Sequence, residues 1–146
     1  MSNKEKDIAK HYKQKEIEST PPGRLIVMLY GKALEHLENA EEVHKGDDVD
    51  KIEKYHNSLV TCQSIITELT VALDMEKGGD LAKNLYRLYD FMNYRLMDAN
   101  VKKDIKAIHE VRELLITLKS GWEEVQDTPI DEAQVKKGPT GINLKG

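Results

Sequence analysis

Two Glu-x-x-His pairs are the residues of this sequence that are best suited to metal chemistry. Glu41 stands three positions before His44, and Glu53 stands three before His56. On a helix this spacing places both side chains on one face, and the di-metal site of a ferritin-like bundle uses such a pair twice. That site also needs an inward carboxylate from each of two further helices. The inward row of residues 92–99 is apolar, so we expect no metal site. A metal-dependent bundle enzyme using these four residues is the alternative.

Two other motifs are candidates for enzyme chemistry. Cys62 lies on an apolar row with no histidine one turn away, which favours a small buried hydrophobic residue over a nucleophile. The sequence Gly78-Gly79-Asp80 lacks the preceding strand and the spacing of a nucleotide-binding loop, and it is typical of a turn between helices. We therefore expect no enzyme activity and no cofactor.

The elements that position these residues are four predicted helices. Pro22 suits the first position of a helix, and Gly46 suits a helix end. Asp80 and Asp104 are each suited to the N-cap of a later helix. No stretch alternates as a strand does, so the sequence predicts an all-α, antiparallel up-down four-helix bundle. The first three predicted helices cover roughly residues 22–45, 48–75 and 81–99, and the fourth follows its cap Asp104 with an apolar row from Ile108 to Val125. We expect a mobile N-terminal strap over 1–19, the bundle over 20–126 and a disordered, mobile tail over 127–146.

The composition excludes several classes of protein. The 146 residues suffice for one domain with its own core, and the formal charge of −4 gives no basic footprint for nucleic acid. The longest apolar run is the six residues from Leu25 to Tyr30, too short for membrane insertion. The N-terminus lacks the apolar region of a signal peptide, and the one cysteine fits a reducing compartment. We expect a soluble cytoplasmic protein, monomeric or weakly dimeric.

Apolar residues exceed what one core can use. At about 100° per residue, each helix has one core row, and these rows include Ile52, Leu81 and Val125. Residues outside the rows predict a groove for an amphipathic partner helix. The predicted groove residues are Leu25, Val27, Met28, Val60, Val71, Tyr86, Tyr94 and Met97. The strap residues Ile8, Tyr12 and Ile17 would occupy this groove when no partner is bound.

The sequence resembles the FliS family of flagellin export chaperones. The likeness covers roughly residues 8–126. It rests on three segments and on the overall length with a polar tail. The segments are YKQKEIESTPPGRLIVMLY (12–30), SIITELTVALDMEKGGDLAKNLYRLYDFMNYRLMDAN (64–100) and a Val-x-x-Leu-Leu-x-x-Leu-x-x-x-Trp ending at Trp122. Two departures concern the first helix. Pro21 stands where the family usually has Ser or Thr, and Gly31-Lys32 stands where an acidic residue and a glycine are common.

The resemblance implies a chaperone mechanism. Such a bundle would bind the disordered C-terminal segment of flagellin, let it fold into helices on the chaperone surface, and prevent premature polymerisation. It would then deliver the subunit to the gate of the flagellar type III export apparatus. Tyr12 and Ile8 match positions that the family directs toward an export-gate protein. A chaperone of a different export substrate is the remaining alternative.

Overall fold

Four long helices make up the described residues 22–127. The structure, a computed structural model, describes residues 7–8 and 22–127. Its helices are α1 (Pro22–Lys45), α2 (Lys51–Val71), α3 (Gly79–Lys102) and α4 (Ile105–Val125). Each helix packs against the next, and α4 packs back against α1, which closes the ring. This confirms the predicted all-α four-helix bundle. No helix in the described part of the chain is both long and apolar enough to cross a membrane.

The predicted terminal segments fall almost entirely outside the described residues. Only Asp7 and Ile8 of the strap and Asp127 of the tail lie within them. The predicted division of the chain at 19/20 and 126/127 therefore stays a prediction.

The C-terminus of α1 and the N-terminus of α4 follow local signals in the sequence. The N–H of Gly46 donates to the carbonyls of Glu42 and Val43 at 3.1 and 3.2 Å, which ends α1 where the glycine predicts. Asp104 accepts a hydrogen bond from the N–H of Lys106 at 3.0 Å and so caps α4. Both predictions are confirmed.

Helix α2 is shorter than predicted at both ends. A turn in which Lys51 N–H donates to the Asp48 carbonyl at 3.2 Å delays its start. At the other end, the Asp74 carboxylate accepts from the N–H groups of Glu76 and Lys77, each at 3.1 Å. An aspartate that binds the backbone two residues ahead forms a turn, so the helix cannot continue to 75. Asp80 does not cap α3, which begins at Gly79 with a positive φ of 57°.

The core is built from the predicted rows, with exceptions at the helix ends. The row of α1 is buried throughout, from Ile26 to Ala40. Three predicted core residues are exposed instead: Ile52 is 69% exposed, Leu81 is 43% and Val125 is 44%. Each lies in a first or last turn, where few neighbouring residues remain to cover it. Leu25 shows the opposite error, because it is predicted on the surface and is buried in the core.

Two tyrosines form the central polar contact of the core. The hydroxyls of Tyr30 on α1 and Tyr89 on α3 lie 2.5 Å apart and are buried. Burial raises the pKa of Tyr30 to about 12, although the hydrogen bond with Tyr89 acts to lower it. Burial also raises the pKa of Tyr89, and the Tyr30 hydroxyl adds to this. Both phenols are therefore neutral wherever the bundle is folded near neutral pH.

The N-terminus of α1 lies close against the backbone that follows α4. A Cβ placed on Gly23 of α1 would lie 2.7 Å from the carbonyl oxygen of Gln126, just beyond α4. Beside it, Arg24 Nε donates to Asp127 Oδ1 at 2.6 Å. The first turn of α1 thus fits against the end of α4 only because residue 23 has no side chain.

The buried tyrosines predict a loss of stability in alkali. Because the folded pKa of Tyr30 exceeds the unfolded value near 10, its neutral form stabilises the fold below pH 10, and this contribution falls as pH rises toward about 12. The loss should reach about 2 to 3 kcal/mol in the free energy of unfolding, measured by urea denaturation across that range. Tyr30→Phe should flatten the pH dependence, whereas Tyr86→Phe on the surface should not. An equal slope in all three proteins would contradict the assignment.

The glycine contact predicts opposite effects for two alanine substitutions. Gly23→Ala should destabilise the fold by about 1 to 3 kcal/mol, because its methyl group would push the ends of α1 and α4 apart. Gly31→Ala, whose methyl group would lie 3.8 Å from Lys119 Cε, should stabilise by about 0.5 to 1 kcal/mol through helix propensity. Thermal unfolding of the two variants measures both effects. A stabilising Gly23→Ala would show that the ends are not in close contact.

Candidate functional site

Two rows of side chains face each other across the seam between α2 and α3. On α2, His56, Gln63 and Thr67 contact α3, while on α3, Asn93 and Asn100 contact α2. Gln63 Nε2 donates to the Asn93 carbonyl at 3.2 Å, Asn93 Nδ2 to Thr67 Oγ1 at 3.3 Å, and Asn100 Nδ2 to His56 Nδ1 at 2.7 Å. These bonds form a polar floor along the seam.

Exposed apolar side chains line both sides of this floor. Val60 and Val71 each lie four residues after a floor residue of α2, and Met97 lies four after Asn93 of α3. Residues at this spacing share a helix face, so the side chains lie along the same seam. We define the α2–α3 surface as the five predicted groove residues that are 41–58% exposed on these two neighbouring helices: Val60, Val71, Tyr86, Tyr94 and Met97.

The other three predicted groove residues lie elsewhere. Leu25 is in the core, where it is 2% exposed. Val27 is half-buried and lies one turn before Gly31, which faces Lys119 of α4. Met28 is 44% exposed on α1, across the bundle from α3. Five of the eight predicted groove residues therefore lie on the neighbouring helices α2 and α3, and the remaining three lie on α1.

A second apolar site lies between α3 and α4, and the sequence does not predict it. It is a cavity of about 230 Å³ near the start of α3 and the end of α4. Its lining residues are Leu81, Leu85, Thr117, Leu118, Gly121, Trp122 and Val125. The missed signal is the position of Leu81 and Val125 in terminal turns, where an apolar residue of the core row is not covered.

The Glu-x-x-His pairs do not meet. Glu41 is buried and faces α4, where Arg112 Nη1 lies 2.7 Å from its Oε1 and His109 Nε2 lies 3.5 Å from its Oε2. Glu53 is exposed on α2. Glu41 and Glu53 therefore do not form a shared site between α1 and α2. Within residues 7–8 and 22–127, no group of three His, Cys, Asp or Glu side chains could hold a metal ion.

Cys62 is a buried, inert thiol. It has no exposed surface, and burial raises its pKa to about 12. A thiol in that environment is protonated at neutral pH, so it cannot act as a nucleophile. The predicted role as a small core residue is confirmed.

Comparison with known proteins decides the family. The model of the family described as "Flagellar protein FliS" matches residues 4–129. This chain belongs to the FliS family. It is 37% identical over 120 residues to the flagellar secretion chaperone FliSB of Pseudomonas aeruginosa, covering 80% of this chain and 93% of the relative. It is also 37% identical over 121 residues to FliS of Salmonella typhimurium, covering 80% and 87%.

More distant relatives extend the comparison. FliS of Bacillus subtilis is 29% identical over 131 residues, which cover 90% of this chain and 92% of that protein. A solved structure described as a flagellar chaperone from bacteria superposes with a TM-score of 0.66 at 20% identity, over 84% of this chain and 98% of that one. At this identity the likeness shows that the two chains share a fold. The chain is a flagellar secretion chaperone by family, as its sequence motifs indicate.

Proposed function

We propose that this FliS protein is a cytoplasmic chaperone without enzyme activity that binds the C-terminal segment of flagellin. The observation that carries the proposal is the α2–α3 surface, on which five large apolar side chains stay exposed although the bundle is complete. Exposed apolar residues that share one seam are typical of a groove for an amphipathic helix. The bound segment would be held monomeric until it is delivered to the flagellar type III export apparatus.

The surface supports binding of moderate strength. Covering the exposed half of five such side chains would contribute roughly 4 to 7 kcal/mol, because full burial of one contributes about 1.5 to 3 kcal/mol. Folding of a disordered segment costs about 2 to 5 kcal/mol of the interaction energy. The α3–α4 cavity offers further apolar surface on the other side of α3. The α2–α3 surface therefore supplies only part of the binding free energy, and contacts elsewhere, such as at the α3–α4 cavity, must supply the rest.

The seam also offers a polar contact to a partner. The side-chain oxygen of Asn93 is buried and has no hydrogen-bond partner among the described residues. An unsatisfied buried acceptor costs about 1 to 3 kcal/mol, so a rotation of the Asn93 side chain that brings this oxygen to a donor of the bound segment would be favoured.

The strap residues Ile8, Tyr12 and Ile17 are proposed to contact the export-gate protein. Ile8 is 49% exposed, and Tyr12 and Ile17 lie outside the described residues. The support is the match of Tyr12 and Ile8 to the family pattern.

Two matched substitutions test the flagellin site. Met97→Asp should weaken binding of the flagellin C-terminal segment at least tenfold, because it places a charge on the α2–α3 surface. Met28→Asp changes an equally exposed methionine on α1 and should leave the affinity within about twofold. Titration calorimetry measures the affinities, and circular dichroism should show unchanged helicity in both variants.

The same experiment can contradict the proposal in two ways. Equal weakening by both substitutions would place Met28 in the site and restore the wider groove that the sequence predicts. No binding of the wild-type protein at about 50 μM would reject flagellin as the partner.

Substitutions in the strap test the export step separately. The double variant Ile8→Ala, Tyr12→Ala should lose binding to the export-gate protein in a pull-down, while its affinity for the flagellin segment is retained. Deletion of residues 1–18 should likewise leave flagellin binding intact, since the strap would compete for the groove. Weaker flagellin binding after either change would show that the strap is part of the flagellin site.

A further inference from the structure

A small pocket lies at the end of the bundle where α1 and α3 end and α2 begins. Its volume is about 260 Å³, and its lining residues are His44, Lys51, Ile52, Tyr55 and Lys103. A cavity of about 150 Å³ can already hold benzene, so this pocket accommodates one apolar side chain. Ile52 and the Tyr55 ring supply apolar lining, while His44 and the two lysines contribute polar groups.

The two lysines have no carboxylate partner among the described residues. Nearby carboxylates are engaged elsewhere: Asp48 and Asp50 lie 3.0 and 3.5 Å from Lys54 Nζ. Asp104 caps α4, and its other oxygen lies 4.0 Å from the guanidinium of Arg95. The charges of Lys51 and Lys103 are therefore available to an anion.

Each ammonium group also keeps a donor free. Lys51 Nζ donates to the carbonyls of His44 and Gly46 at 3.4 and 3.2 Å. Lys103 Nζ donates to the backbone and side-chain oxygens of Asn100 at 2.7 and 3.3 Å. An ammonium has three N–H donors, so one remains on each lysine.

The unfavourable backbone conformation of Lys103 indicates that its side chain contributes to binding. Lys103 has a φ of 55° and a ψ of 39°, a left-handed conformation that favours glycine. The position directly follows α3, where a glycine would end the helix without strain. Lys103 instead places its ammonium 5.0 Å from the centre of the Tyr55 ring, beside the pocket.

The pocket lies at one end of the α2–α3 surface. Along α3, Met97 precedes Lys103 by less than two turns, and along α2, Val60 follows Tyr55 by little more than one. A helix bound along the seam and running toward this end would bring its last turn to the pocket. There it meets an apolar lining and two cations, which complement an apolar side chain next to a carboxylate.

We propose that the pocket captures the C-terminal end of the bound flagellin segment. An apolar side chain of its last turn enters beside Ile52 and Tyr55, and its α-carboxylate accepts hydrogen bonds from the Lys51 and Lys103 ammonium groups. The inference rests on the proposed function, and it adds a direction, since the segment ends at the Lys103 end of the seam. Recognition of the chain end also distinguishes a C-terminal segment from an internal helix of similar apolar character.

A double cycle of ligand and protein variants tests the capture of the carboxylate. The flagellin C-terminal peptide is compared as the free acid and as the C-terminal amide, by titration calorimetry. The amide should bind at least fivefold more weakly to the wild-type protein. Lys103→Gly should weaken the acid to the same degree and should leave the affinity of the amide unchanged. Equal binding of acid and amide to the wild-type protein would overturn the proposal.

Lys103→Gly and the control Lys102→Ala exclude misfolding and a general charge effect as explanations. Lys103→Gly removes the charge but suits the left-handed backbone, so its thermal unfolding temperature should equal or exceed that of the wild type. Lys102→Ala removes a charge one residue earlier on α3, and it should leave the affinity of the free acid unchanged. Weakening by Lys102→Ala equal to that by Lys103→Gly would show a general charge effect and would overturn the proposal.

A small probe tests the pocket if neither flagellin peptide binds. N-acetylphenylalanine and its amide are titrated into the full-length protein, and NMR shifts are followed at Ile52, Tyr55 and Lys103. The acid should perturb these residues at millimolar concentration, and the amide should not. If the flagellin peptide does not bind but the acid probe perturbs the pocket, flagellin is rejected as the partner. The pocket then still binds the carboxylate end of another chain. The absence of any response to the acid, or an equal response to the amide, rejects the pocket as a carboxylate site.

Discussion

The contact between the Tyr30 and Tyr89 hydroxyls determines how the helices of this bundle are aligned. It joins α1 to α3, which lie diagonally across the ring and are not neighbours. A buried hydroxyl without a partner costs more than a hydrogen bond gains, so a shift of either helix along its axis is unfavourable. With Tyr89 directed inward, the helical repeat directs Tyr86 and Met97 toward the seam with α2. The core contact therefore also sets which residues remain on the surface.

The seam between α2 and α3 reconciles two needs of a chaperone. The protein must keep apolar side chains available to a partner, and it must be stable when that partner is absent. Hydrogen bonds among Gln63, Thr67 and Asn93 join the two helices at this seam, in addition to the buried apolar packing that includes Ile66 and Met92. The exposed residues of the α2–α3 surface are thus not needed to join the helices. They can stay exposed at little cost to the bundle.

The periodicity of the sequence was sufficient to predict the four helices, the buried rows and Cys62, because a 3.6-residue repeat directly reflects which face of a helix is covered. It could not predict where each helix ends relative to its neighbours, and Ile52, Leu81 and Val125 are exposed for that reason. Helix α2 stops early because the Asp74 side chain binds the following backbone, a choice between two local hydrogen-bond patterns that periodicity does not resolve. Five of the eight predicted groove residues lie on the neighbouring helices α2 and α3. The positions of Leu25 and Met28 could not be predicted without knowing which helices pack against α1.

The contact between Gly23 and Gln126 limits how far the chain can fold during its synthesis. Helix α1 leaves the ribosome first, whereas α4, one of its two neighbours, leaves last. Until then the buried Glu41 has no arginine to neutralise it, and one flank of α1 is open to water. Contacts between residues about a hundred positions apart cannot form cotranslationally until the chain is nearly complete. The packing of the bundle is consequently completed late, when α4 packs against α1.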